Sequence, residues 1–395
     1  VGTYSFELRE TGEATADSGW RYDTHVHSIV VTVTDQGGKL VASHSHSAGN
    51  TNVFTNSYST STSYGATGGL DIVKTLTGRD LRAGDFTFVV EAAGEGEALA
   101  NAKAKLGKES LEVTNGAPDS DGKAVASPLD NLTFSTEDLG KSFTFKVSEK
   151  NDGKPGYTYD GSYYVVTITP KAAEGGAAIY TQTDVEKFDA EGSSLDKRTV
   201  TGTTGEPRVT ELAFENSYNA TGKLGGDGSV SIKASKTLTG SAAATGTYTF
   251  TASAISADGA AATDVKSVNV KVDPNKKTPI EFGEIGLTTS DQAPEGAVSL
   301  ANLVDRGIAT KTPCADGSGT YDYAFRVKVA EDVSKLPAGV RPSAADPSYV
   351  VTVTVHDDGA GNLTSTVGYP TTTGELNFVN TQDKVKTIGS VDKPK

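Results

Sequence analysis

The sequence predicts an all-β protein built from tandem domains, and three observations carry that expectation. β-Branched and aromatic residues alternate with polar ones at a period of two, bounded by Gly, Asp and Pro, which is the pattern of half-buried antiparallel strands. The composition is Gly-rich (44 residues) with 7% aromatic residues, as expected of β structure rather than helix. The same ordered phrases also recur along the chain at a separation near 160 residues, too long for a solenoid unit and right for whole domains.

Three phrases define the repeat. The first is Lys-Thr-Leu-Thr-Gly, at Lys74 to Gly78 and Lys236 to Gly240, followed by the strands containing Phe86 and Phe88, and Tyr248 and Phe250. The second is a strand that ends in Glu: Tyr4-Ser-Phe6-Glu-Leu8-Arg-Glu10, Phe143-Thr-Phe145-Lys-Val147-Ser-Glu149 and Phe325-Arg-Val327-Lys-Val329-Ala-Glu331. The third closes each unit with Phe54-Thr-Asn56, Phe214-Glu-Asn216 or Phe378-Val-Asn380. Between the second and third phrases lies a shared strand, Ile29 to Thr34, Tyr164 to Thr169 and Tyr349 to Thr354, each preceded by an Asp (Asp23, Asp160, Asp346) expected to cap a turn. Lys74 and Lys236 stand 162 residues apart, Asn56 and Asn216 160, and Asn216 and Asn380 164.

These spacings divide the chain into 1–58, the C-terminal part of a domain; 70–219 and 228–382, two complete domains; and 383–395, a tail or linker. Short Gly/Ser/Thr-rich joints at 59–69 and 219–228 are expected to hold the domains in a row. Residues 95–108 and 299–305 are richer in helix formers and are expected to be short helices within insertions. Counting back from Asn56 puts a matching Lys before residue 1, and the chain has no Met, so Val1 is expected to be an internal or processed beginning.

Composition also excludes functions. With 36 Lys+Arg against 50 Asp+Glu the net charge is −14, which repels nucleic acid and anionic lipid. The lone Cys314 cannot form an intramolecular disulfide or a Cys-rich zinc site, and it sits in a Gly/Asp/Ser loop without a catalytic signature. No run is long and apolar enough to span a bilayer. No phosphate-binding Gly loop, Gly-x-Ser-x-Gly elbow or His-Glu-x-x-His occurs. No cofactor is expected.

The Lys, Glu and Asn of the three phrases suggest a chemistry. If the first and last strands of a unit are neighbours, a Lys amine and an Asn carboxamide meet inside the core. Desolvation drives Lys toward its neutral, nucleophilic form and Glu toward its protonated form. A neutral amine can attack the carboxamide carbon while a carboxylic acid carries protons to the departing ammonia, leaving an amide between two side chains.

At these residues the chain resembles the Gram-positive pilin and surface-adhesin domains of the streptococcal pilin isopeptide-linkage family. The resemblance covers nearly the whole chain and implies immunoglobulin-like β-sandwiches of the collagen-adhesin B type, on a bacterial cell surface or cell wall. Carried over by motif, Lys74 bonds Asn216 with Glu149 as promoter, and Lys236 bonds Asn380 with Glu331 as promoter. Glu10 and Asn56 lack a visible Lys and are expected to be unbonded. The implied function is a structural pilin or adhesin stalk used in adhesion. Its chemistry is single-turnover, so it is not an enzyme, and its partners are other domains or subunits of the same fibre. No Leu-Pro-x-Thr-Gly sorting signal is present.

Two alternatives come from other features. Insertions around 91–134 and 288–320 could recognise a host glycan or matrix protein. His25, His27, His44 and His46 flank a hairpin turning at Asp35 to Gly38, and a register pairing Thr34 with Lys39 sets His27 opposite His46, which would suit zinc or nickel. The plainer reading of the four is a polar strand end.

Overall fold

A computed structural model describes residues 1–12, 19–46, 52–174, 178–225, 230–259, 262–315 and 317–384. Strands dominate, as expected, and no helix among the described residues is long and apolar enough to cross a membrane. The helices Gly96–Leu106 and Leu300–Asp305 lie in the two insertions. Ser299 caps the second by accepting from the N–H of Asn302.

Between residues 61 and 218 two main sheets enclose one core. The smaller runs Ala124–Ala126, Leu70–Thr77, Thr210–Tyr218, Tyr157–Thr158. The larger runs Ser194–Gly202, Ile179–Phe188, Tyr163–Ala172, Phe143–Glu149, Thr87–Ala92, Ser110–Thr114. Alternate residues of each strand turn inward. Leu70, Ile72, Leu212 and Phe214 from the small sheet meet Phe88, Val90, Phe145, Val147, Val166 and Ile168 from the large one. This is sheet-on-sheet packing with a shared apolar interior.

The third set repeats the plan. A small sheet of Lys277–Ile280, Ala234–Thr239, Leu376–Gln382 and Val340–Pro342 faces a larger one that includes Gly246–Ile255, Tyr321–Glu331 and Ser348–Asp357. In both small sheets the first and last long strands are parallel neighbours. Lys74 pairs with Phe214 and Leu76 with Asn216; Lys236 pairs with Phe378 and Leu238 with Asn380. The Gly that ends each Lys-Thr-Leu-Thr-Gly phrase is required by this pairing. Gly78 and Gly240 have φ of 91° and 114°, and a Cβ there would stand 2.0 Å from the carbonyl oxygen of Tyr218 and 2.4 Å from that of Gln382.

The expected joints are not free linkers. Ser61–Ser63 pairs with Thr133–Ser135, and Thr221–Leu224 joins the large third sheet, antiparallel to Ile285–Thr288 and parallel to Asn362–Gly368. Tyr218 donates to Asp357 at 2.6 Å, Arg79 to the Ser318 carbonyl, Arg82 to the Gly317 carbonyl and Tyr321 to Asp80, so the second and third sets are clamped together.

The N-terminal residues form a single three-stranded sheet, Gly2–Arg9, Val26–Asp35 and Leu40–His46, beside a short pair of Trp20–Arg21 with Ser57–Tyr58. Tyr4 and Phe6 on its first strand are 52% and 55% exposed, whereas their counterparts Phe143 and Phe145 are buried. The expected tail, 383–395, lies almost wholly outside the described residues.

Candidate functional site

Each complete sandwich holds a charged cluster between its two sheets. Lys74 and Asn216 come from the parallel strands of the small sheet, two register positions apart, while Glu149 ends the strand Phe143–Glu149 of the large sheet. Lys74 Nζ donates to Glu149 Oε2 at 3.0 Å, and Asn216 Nδ2 donates to Glu149 Oε1 at 2.8 Å. Both side chains of the ion pair have 0% exposure. The carboxylate therefore holds the amine and the carboxamide side by side, one on each oxygen.

The surroundings shift both groups toward neutrality. Burial lowers the Lys74 amine, against the pull of Glu149, and raises the Glu149 carboxyl, against the charge and hydrogen bond of Lys74. The ring of Phe86, centred 4.6 Å from Nζ, forms part of this apolar lining. A proton passing from Lys74 to Glu149 removes two buried charges at once, which is the arrangement a nucleophilic amine needs.

Asp160 adds a contact that the sequence reading did not supply. Its backbone N–H donates to Asn216 Oδ1 at 2.7 Å, polarising the carboxamide carbonyl. Its carboxylate accepts from the N–H groups of Ser162 at 2.9 Å and Glu215 at 3.1 Å. Burial alone would raise this carboxyl, but those bonds more than offset it and hold it low. The expected turn cap is present, and it also fixes the strand next to Asn216. The repeated Asp ahead of each shared strand was the available signal.

The third set brings the equivalent residues together with different bonding. Lys236 Nζ is 2.6 Å from Glu331 Oε1, poorly angled as a hydrogen bond, and Asn380 Nδ2 donates to that same oxygen at 3.0 Å. Glu331 Oε2 and Asn380 Oδ1 have no hydrogen-bond partner among the described residues. Burial lowers the Lys236 amine here too, beside the ring of Tyr248 at 5.1 Å. Glu331 pairs with Phe250 in the ladder as Glu149 pairs with Phe88, so the two carboxylates occupy matching positions despite the longer insertion before Glu331.

In the N-terminal set Asn56 Nδ2 donates to Glu10 Oε1 at 2.8 Å, and Asn56 Oδ1 accepts from the N–H of Asp23 at 2.8 Å. The Asp23 carboxyl, held by the N–H groups of Thr55 and then His25, drops to about 2. This Glu, Asn and Asp arrangement copies that of the second set without a lysine among the described residues.

The histidines take a register two residues from the expected one. His46 pairs with Ile29 and His44 with Val31, because the four-residue turn lies one position further along, at Gln36 to Lys39, between the paired Asp35 and Leu40. His27 pairs with Leu8 on the other neighbour. His25 binds Asp23, His27 approaches the Val53 carbonyl, and His46 contacts Asn52 while its ring meets that of His44 edge-on at 5.2 Å, so the four do not converge on one point. They do not form one of the groups of three or more potential metal ligands found among the described residues.

The family model described as FctA, Spy0128-like isopeptide containing domain, matches residues 1–59, 70–219 and 232–383. No curated protein matches. Among solved structures the chain is similar to the major pilin of Streptococcus pyogenes, at 17% identity over 80% of this chain and 99% of that one, with a TM-score of 0.24. A second major pilin of that species, T-13, shares 16% identity over 80% and 98% of the two chains, with a TM-score of 0.24. A variant of the shaft pilin SpaA from Lactobacillus rhamnosus GG shares 10% over 81% and 99%, with a TM-score of 0.18.

Proposed function

The chain belongs to the Spy0128-like isopeptide-containing domain family of Gram-positive pilins, and from that premise we propose that it is a tension-bearing segment of a surface stalk, stiffened by amide bonds joining Lys74 to Asn216 and Lys236 to Asn380. The observation that carries this reading is the seating of Lys74 and Asn216 on the two oxygens of one buried carboxylate, Glu149.

The reaction balances within the cluster. Nζ of neutral Lys74 attacks Cγ of Asn216, a new N–C bond forms and the Cγ–Nδ2 bond breaks. Glu149, already protonated by the transfer from Lys74, gives its proton to the nitrogen that leaves as ammonia and takes a proton from the attacking amine in exchange. The N–H of Asp160 supports the negative charge that builds on Oδ1. Each unit reacts once, on itself.

The bond matters because of where it lies in the path of force. Load entering along Leu70–Thr77 crosses at Lys74 and leaves through Asn216 and Tyr218, so residues 75–215 are bypassed. The parallel pairing of first and last strands places their outer ends at opposite poles. Closing a loop of this length stabilises by on the order of 5 kcal/mol in the chain-entropy model, and no reductant reverses it. We take the units as 1–58, 70–219 and 228–382, with Thr221–Leu224 of the intervening joint paired into the large sheet of the last. Neighbouring subunits of a cell-wall fibre are the natural partners, and adhesion is the use such a stalk serves.

Intact mass tests the proposal. Two bonds remove two ammonia molecules, each about 17 Da, from the sequence mass, and a peptide map should return the Lys74/Asn216 and Lys236/Asn380 pairs as branched fragments. A mass equal to that of the unmodified chain overturns it.

A further inference from the structure

We propose that Cys314, Asp322 and His356 form a binding site for a divalent cation of borderline softness, zinc above all, at the end of the large third sheet. Three adjacent strands build it. Ala309–Pro313 leads directly into Cys314, whose N–H donates to the Thr320 carbonyl at 3.0 Å; Asp322 lies on the central strand Tyr321–Glu331; and His356 is its direct cross-strand partner on Ser348–Asp357. The backbone ladder thus sets all three ligands at one sheet end before any cation arrives.

The separations suit a metal. Cys314 Sγ lies 3.6 Å from Asp322 Oδ1 and 3.9 Å from His356 Nδ1, and that nitrogen is 2.7 Å from the same carboxylate oxygen. Bonds of about 2.0–2.3 Å in a tetrahedron hold ligand atoms about 3.3–3.6 Å apart. Two of the three separations are near that range, and the third opens by about 0.6 Å when the His356–Asp322 contact is exchanged for bonds to the metal. A thiolate and an imidazole select zinc, cobalt or nickel over calcium and magnesium. A cavity of about 330 Å³ lined by Thr312, Thr364 and Thr366 adjoins Asp322 and His356 and leaves room for a water as fourth ligand. The same atoms do not make a nucleophilic relay. Both Cys314 and Asp322 face Nδ1 of His356, whereas a Cys–His–acid relay uses the two ring nitrogens separately.

The site also adjoins the clamp between the second and third sets. Tyr321, which reaches Asp80, precedes Asp322; Asp357, which accepts from Tyr218, follows His356; and the Gly317 and Ser318 carbonyls that receive Arg82 and Arg79 lie just beyond Cys314. A cation bound to all three strands ties that loop to the sheet and stiffens the joint.

Calorimetric titration of the full chain with zinc chloride alone is expected to show one saturable site and release of about one proton, from the thiol. Affinity should fall at least about tenfold in Cys314→Ser and in His356→Ala and stay unchanged in His27→Ala. Cobalt supplies a readout on the unaltered protein, a thiolate-to-cobalt absorption band in the near ultraviolet that Cys314→Ser abolishes. Absence of saturable binding below about 1 mM zinc, or binding and band that persist in both variants, overturns the site. Binding lost in His27→Ala but kept in Cys314→Ser assigns the cation to the N-terminal histidines and overturns it as well.

Discussion

The backbone N–H of Asp160 donates to Oδ1 of Asn216 while the carboxylate of the same Asp160 accepts from the N–H of Glu215, the residue before that Asn. One residue therefore both polarises the carboxamide and fixes the strand that carries it. The pattern recurs at Asp23, Asn56 and Thr55, and no matching contact to Asn380 is found in the third set among the described residues.

Replacing Asp160 by Ala removes the acceptor for two N–H groups and loosens the placement of its own N–H on Asn216. Amide formation between Lys74 and Asn216 should slow by about tenfold, a fraction of the loss on deleting an oxyanion donor outright, and still reach completion. Mass spectra taken at intervals after cell-free synthesis give the rate; one equal to that of the unaltered chain removes Asp160 from the reaction.

In Glu149→Gln no side chain can take and return the amine proton, and Lys74 is left buried without its counter-charge. The mass deficit should shrink from two ammonias to one. Stability of the second unit should fall by at least the lost cross-link, on the order of 5 kcal/mol, because a free Lys74 amine is then also left buried beside a neutral amide. Denaturant melting alongside intact mass checks both, and a retained double deficit contradicts the assigned role.

The two units should not react at one speed. Asn380 Oδ1 lacks the donor that Asn216 Oδ1 has, and Glu331 places both partners on one oxygen. The Lys74–Asn216 fragment should appear first in a time-resolved peptide map, with the Lys236–Asn380 fragment slower by about tenfold or more. The reverse order would mean that donors to the carboxamide do not limit the rate.

Lys74→Met deletes the cation that most opposes the upward shift of Glu149 by burial. The folded carboxyl then lies further above its ordinary value of 4.5, so the folded state takes up a proton more readily than the unfolded one. Stability must rise as pH falls through the folded value and level off near the unfolded one. Urea midpoints of this variant should increase as the pH is lowered toward the ordinary carboxyl value of 4.5; a decrease would refute a buried, raised Glu149.

At the joint, Tyr218→Phe removes the donor to Asp357, whose carboxyl burial pushes up. The buried oxygen loses a partner at a cost of about 1–3 kcal/mol, seen as a lower melting temperature and a wider spread of interdomain angles in small-angle scattering. Unchanged values would show that Arg79, Arg82 and Tyr321 suffice as the clamp.

How much was legible in the sequence follows from what each feature depends on. The all-β class rests on two-residue alternation along single strands, which is local. The three-phrase repeat marked Lys74, Glu149 and Asn216 together because each phrase belongs to a strand of its own, and equal spacing implies equal topology. The histidine register was not legible, since a four-residue turn displaced by one position, to Gln36–Lys39 from Asp35–Gly38, moves every pair by two residues. The strand Thr221–Leu224 read as a linker because the two strands it pairs with, Ile285–Thr288 and Asn362–Gly368, lie more than sixty residues further along the chain.

Composition and order of residues determined by themselves that this chain folds as repeated β units without disulfides, with a Lys, a Glu and an Asn at corresponding places in the two complete units. Tertiary structure alone decided that Glu149 reaches across from the opposite sheet, that a backbone N–H of Asp160 meets the carboxamide, and that Cys314, the one cysteine, lies with Asp322 and His356. The reason is physical. A strand's inward face is set by its own alternation, whereas which atoms meet between strands depends on register, crossover and sheet separation, each fixed only when distant segments pack.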